Sequence, residues 1–182
     1  MMKSISLCST LIIAMGVSYP SFALPLDKIK LPEGFTIDVY AENVENARQM
    51  ALGEKGTVFV GSRKAGNVYA LIDSDNDFKA DKKIIIATDL FMPSGLAYHN
   101  GSLYVAEVDK IWRYPDIEQS LPKIPKPELV YDKLPNKSHH GWKIIAFGPD
   151  GKLYIPVGAP CNVCDSDLPF ASILQLDLET KQ

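Results

Sequence analysis

The sequence predicts an all-β fold, a β-propeller of repeated four-stranded blades, and three observations carry that expectation. A short pattern recurs three times: an apolar run, a turn glycine, then a second apolar run. The turn glycines are Gly56, Gly101 and Gly151, spaced 45 and then 50 residues apart, which is a blade period. The 12 Gly and 13 Pro suit short elements joined by turns rather than long helices. No stretch after residue 23 sustains a 3.6-residue apolar period.

The first element is not part of that fold. Lys3 supplies a positive start, Leu11 to Val17 an apolar core, and Ser21-Phe22-Ala23 the small residues that a signal peptidase reads. Residues 1–23 are therefore expected to be a cleaved signal peptide, too short to act as a stable membrane span. The expectation is a periplasmic or secreted protein whose mature part runs over 24–182. Phe35 to Tyr40 then reads as a strand that links into the first unit without a blade of its own.

Unit one follows with Met50-Ala51-Leu52, Thr57 to Gly61, Asn67 to Ile72 and Lys83 to Ala87. Unit two has Leu96-Ala97-Tyr98, Ser102 to Ala106, Lys110 to Tyr114 and Glu128 to Tyr131. Unit three has Ile145-Ala146-Phe147, Lys152 to Pro156 and Ile173 to Leu178. These runs are short, β-branched or aromatic, and many alternate in polarity, as strands do. Asn100-Gly101 and Pro149-Asp150-Gly151 have the residues that tight turns demand. The count is about three blades where a closed ring needs at least four. The chain is expected to be the front part of a longer propeller; a small stack or a self-dimerising half ring is the alternative.

Charge narrows the partners. With 19 basic and 22 acidic side chains the net is -3, and no Lys/Arg block exists, which argues against nucleic acid. Strand alternation sorts the loops onto two faces. Lys137 to His140, Arg63-Lys64, Glu107 to Asp109 and Pro160 to Asp165 fall on one face, around the mouth of the channel. The glycine turns and the acidic run Asp73 to Asp81 fall on the other. Mouths of such rings bind ligands.

His140 is the candidate catalytic residue, because imidazole exchanges a proton near neutral pH and this one stands at an innermost strand. A surface-loop histidine is the alternative. His139 would point elsewhere if the pair were extended. His99, beside a hairpin turn, is expected to be solvated. Cys161-Asn162-Val163-Cys164 admits a redox pair, a zinc site with His139 and His140, or a local disulfide; export and the lack of a helical context favour the disulfide. Asp73, Asp75, Asp77 and Asp81 hold positions 1, 3, 5 and 9 of a calcium-type loop. That loop's Gly at position 6 and Glu at position 12 are replaced by Phe78 and Ile84. A bound calcium there would be structural; a solvated turn is the alternative.

The run His139-His140-Gly141-Trp142-Lys143, then Phe147 to Tyr154, then Val157 to Cys164, resembles the sorbosone/glucose dehydrogenase family. The likeness extends upstream through Asn67 to Asp73, Met92 to Gly95, Tyr104 to Glu107 and Val130 to Pro135. It implies a six-bladed propeller and an exported sugar or sugar-aldehyde dehydrogenase that uses pyrroloquinoline quinone (PQQ) and calcium and passes electrons to an external acceptor. The family's base is the histidine eight residues before its Gly-Pro-Asp turn, here His140. The residues that grip the quinone are implied to lie beyond Gln182. A non-catalytic or lactonase-like propeller is the other reading; a lactonase would need a metal held by channel carboxylates, for which Glu107 and Asp109 are the candidates.

Overall fold

The computed structural model describes residues 24–180. The expected signal peptide, residues 1–23, lies outside the described residues. The chain divides into two compact units, Met1–Asp38 and Val39–Gln182. The described part of the first unit has a 3-10 turn at Leu26–Lys28 and a turn in which Phe35 N–H donates to the Pro32 carbonyl at 3.2 Å.

The strand expected over residues 35–40 does not form. A strand exists through its ladder partner, and among the described residues this segment has none, which leaves Phe35 68% exposed.

The second unit holds three antiparallel sheets. The first orders β1 (Ala47–Leu52), β2 (Val58–Ser62), β3 (Val68–Ile72) and β4 (Lys82–Ala87). The second orders β5 (Gly95–His99), β6 (Ser102–Ala106), β7 (Ile111–Tyr114) and β8 (Glu128–Tyr131). The third orders β9 (Ala146–Phe147), β10 (Leu153–Val157) and β11 (Ser172–Leu176). A single helical turn, α1 (Ile117–Ser120), follows β7. The first strands of the sheets, β1, β5 and β9, meet in succession. This is the expected all-β propeller arrangement with about three blades, each in chain-order meander as hairpin connections dictate.

Strand alternation builds two separate cores. Leu103 and Val105 of β6 pack with Phe59, Val68 and Leu96, between the first and second sheets. Tyr104 and Ala106, of opposite parity, pack with Ile145, Leu153, Ile155 and Val157, between the second and third. β6 is thus buried along its whole length. On the far side of the first sheet, Tyr40, Ala41 and Val44 cover Val60, Tyr69 and Leu71. So part of the segment expected as a strand acts as a packed cover instead. The turn glycines Gly56, Gly101 and Gly151 all have φ between 73° and 86°, the left-handed region that tight turns use.

Candidate functional site

The links into β5 and β9, and the loops after β2, β6 and β10, gather at one end of the sheets. Arg63, at the exit of β2, lays its guanidinium carbon 3.7 Å from the centre of the Trp142 ring. Trp142 meets His140 edge-on at 6.4 Å between ring centroids. His140 and His139 lie ring to ring at 4.1 Å. The row Arg63, Trp142, His140, His139 therefore runs across the mouth, joining the first sheet to the third.

The local backbone explains the histidine pair. His140 has φ 50°, a conformation that costs an L-residue about 1–2 kcal/mol. Gly141 N–H donates to the Ser138 carbonyl at 3.1 Å and closes the turn. In an extended pair the rings would diverge, as the alternation argument expected. The turn puts them side by side.

Each ring is held by one hydrogen bond. His140 Nδ1 is 3.2 Å from the Ala159 carbonyl oxygen. A carbonyl only accepts, so Nδ1 carries the hydrogen, and in a neutral ring Nε2 would be the nitrogen with the lone pair. His139 Nε2 donates to Asn162 Oδ1 at 3.2 Å. Cys161 and Cys164 are joined in a disulfide, with Cα atoms 6.0 Å apart, that closes the loop bearing Asn162. Disulfide sulfurs are not thiolates, so a zinc site on these cysteines is not formed.

The mouth carboxylates are unequal. Glu107, 5% exposed, accepts from the Phe91 N–H and, at 2.7 Å, from Trp112 Nε1. Both of its oxygens are engaged in holding the Phe91 backbone and the Trp112 ring. Asp109 Oδ2 accepts from Asn136 Nδ2 at 3.3 Å, while its Oδ1 is buried without a hydrogen-bond partner among the described residues. Arg63 Nε is likewise buried and unpaired. Native interiors pair nearly all such atoms.

Lys143 was not singled out from the sequence, yet it is 1% exposed. Its ammonium donates to the Gly141 carbonyl at 2.6 Å, and Ser94 Oγ donates to its own carbonyl at 3.1 Å. Burial pushes its pKa below the ordinary 10.5, with the Asp109 charge opposing. The signal was available: Lys143 has the same strand parity as buried Ile145. Arg63 gave no signal beyond its place on this face, and Trp142 none beyond its place in the His139 to Lys143 run.

The opposite face has a different character. His99, expected to be solvated, is half-buried and stacks on Phe147 at 4.1 Å, because the third sheet closes over it. A cavity of about 550 Å³ there is lined by His99, Tyr104, Arg113, Asp150 and Lys152 among others. The acidic run brings Asp73, Asp75 and Asp81 together, with ligand atoms within 4.8 Å of one another; Asp77 is not in that group. Asp73 accepts from the N–H groups of Asn76 and Phe78, and Asp81 from that of Ser74. An all-oxygen donor set fits a hard cation such as calcium in kind, though three carboxylates fall short of its six to eight ligands. The quinone fits less well. Arg63 is stacked on Trp142 and Lys143 is buried, which leaves the exposed Lys64 and Lys137 among the cations that this face offers its carboxylates.

The family model that matches residues 21–171 is described as a domain of unknown function, DUF7133. The chain belongs to that family. A protein of Borreliella burgdorferi, described as uncharacterized, is 27% identical over 165 residues, covering 85% of this chain and 42% of its own length. The chain thus spans less than half the length of that relative.

Among solved structures, the PQQ domain of pyranose dehydrogenase from Coprinopsis cinerea, in its holo form, matches with a TM-score of 0.65 and 14% identity. That match covers 77% of this chain and 35% of that one. The PQQ-bound aldose sugar dehydrogenase of Streptomyces coelicolor matches at 0.59 and 20%, covering 77% and 47%. A Trichoderma reesei carbohydrate-active enzyme of family AA12 matches at 0.55 and 18%, covering 64% and 31%. At these identities the likeness shows a shared fold and no more. Among the described residues no helix is long and apolar enough to cross a membrane.

Proposed function

We propose that this chain is the base-bearing part of an exported, quinone-dependent dehydrogenase of the sorbosone/glucose type, acting on a sugar or sugar aldehyde. The observation that carries the reading is the 3.2 Å approach of His140 Nδ1 to the Ala159 carbonyl oxygen, which in the neutral ring makes Nε2 the proton acceptor. In the proposed step the substrate hydroxyl, or that of an aldehyde hydrate, gives its proton to Nε2. The Ala159 carbonyl continues to hold the Nδ1 side, so the ring takes charge without turning. A quinone supplies the two-electron acceptor in this class of reaction. The described residues supply the proton acceptor.

Binding of calcium by Asp73, Asp75 and Asp81, with Asp77 in their loop, belongs to the same proposal as a structural site remote from His140. Export rests on the leader pattern of residues 1–23, and N-terminal sequencing of the exported protein should begin at Leu24. The loss of Glu107 to structural hydrogen bonds counts against the lactonase-like alternative.

The deciding experiment supplies the native gene product with PQQ and calcium and follows dye reduction over a panel of aldoses and sugar aldehydes. Activity that His140→Ala abolishes supports the reading. A folded protein that shows no spectral change on PQQ titration and no dye reduction would overturn it in favour of a non-catalytic binding propeller.

A further inference from the structure

One short segment makes every hydrogen bond that orients the histidine rings. β10 ends at Val157, and the next residue, Gly158, runs against His140: a Cβ built on Gly158 would overlap the His140 carbonyl oxygen and sit 2.8 Å from its Cβ. Ala159 takes the Nδ1 hydrogen of His140, and Asn162 takes the Nε2 hydrogen of His139. His140 is in the left-handed region, so its own backbone preference does not hold it there. Something outside the turn must.

The end of this segment has no core to hold it. Val163 is 96% exposed, and Asn162, Cys164 and Asp165 are exposed as well. The bond between Cys161 and Cys164 is what limits where Asn162 can go.

We propose that residues 158–164 are a positioning clamp: Gly158 admits the His140 turn, Ala159 selects its tautomer, and the disulfide-closed loop presents Asn162 to hold His139 against it. Gly158 and Asn162 are positioning residues, and their effect on rate rests on the role assigned to His140 above. A misplacement of about 1 Å at a reacting group costs on the order of a hundredfold in rate. Gly158→Ala is therefore expected to lower kcat between tenfold and a hundredfold with KM little changed.

The test that does not depend on activity is long-range proton–nitrogen NMR of the histidine-labelled native gene product. In the unaltered protein His140 should show the Nδ1–H tautomer. Gly158→Ala should convert it to a mixture of tautomers. Asn162→Ala, and the double change Cys161→Ser with Cys164→Ser, should move the His139 resonances while leaving the melting temperature within a few degrees.

If Gly158→Ala fails to fold, the two loop variants still decide the matter, because Asn162 and Cys164 are exposed and Cys161 is only half-buried. Unchanged His139 resonances in both loop variants, or an unchanged His140 tautomer in a folded Gly158→Ala protein, would overturn the clamp. A mixed His140 tautomer in Gly158→Ala and shifted His139 resonances in the loop variants, together with full activity in His140→Ala, would keep the clamp and overturn the proposed function instead.

Discussion

The two faces of the sheets are made from the same strands, yet they settle their polar groups in opposite ways. On the glycine-turn face, the Glu118 carboxylate accepts from the Lys55 and Thr57 N–H groups and, at 3.0 Å, from the Tyr98 hydroxyl. One side chain from α1 thereby seals the β1–β2 turn of the preceding sheet. On the mouth face, among the described residues, Arg63 Nε is buried without a hydrogen-bond partner, Asp109 Oδ1 has only the Lys110 ammonium at 3.7 Å, and Lys143 is buried with one acceptor. The first arrangement is a structural joint. The second leaves the Arg63 Nε donor without a hydrogen bond and His140 in the same row, as a binding face does and a joint does not.

The largest effect that would break this contrast is at His140. His140→Ala should reduce turnover of the native gene product by about 10²–10⁴-fold, the usual worth of a general base, and leave the melting temperature unchanged. A large loss of stability instead would make the mouth face another joint.

Glu118→Ala should do the reverse. It leaves turn N–H groups and a phenol without their acceptor, at about 1–3 kcal/mol of stability in a denaturant titration, with activity retained. The Tyr98 hydroxyl, pushed up to about 12 by burial and then by Glu118, should fall toward its ordinary 10 when tyrosinate absorbance is followed in this variant.

Lys143 offers a smaller test with a pH signature. Its folded pKa is depressed, so between that value and 10.5 the unfolded chain binds more protons and stability rises with pH. Lys143→Met should flatten that alkaline rise. It should stabilise the protein at pH values below that depressed pKa, where the buried side chain is otherwise charged. An unchanged pH profile would mean that Lys143 is not the titrating group.

The smallest effect concerns the acidic loop. Calcium at its dissociation constant adds only about 0.4 kcal/mol, so a calcium-dependent rise in melting temperature should be slight and should vanish in Asp73→Asn. A rise that survives in Asp73→Asn would place the ion elsewhere.

What the sequence determined by itself was the repeat. Glycine spacing, turn chemistry and period-2 alternation are local properties, and each is written in residues that form their own hairpins, which is why β1 to β11 fall where the pattern puts them. The loop sorting followed from the same alternation, and so His140, Arg63, Asp109 and Cys161 could be assigned to one face. Tertiary structure decided everything that depends on a partner distant in the chain. The strand over 35–40 was lost for want of a ladder. Glu107 turned out to be consumed by Phe91 and Trp112. His139 and His140 came together because a left-handed turn at His140 overrode alternation. The need for glycine at 158 arises only from the His140 backbone, eighteen residues away in sequence, lying where a Cβ would be. Alternation reports which way a side chain points; only the folded chain shows what it meets.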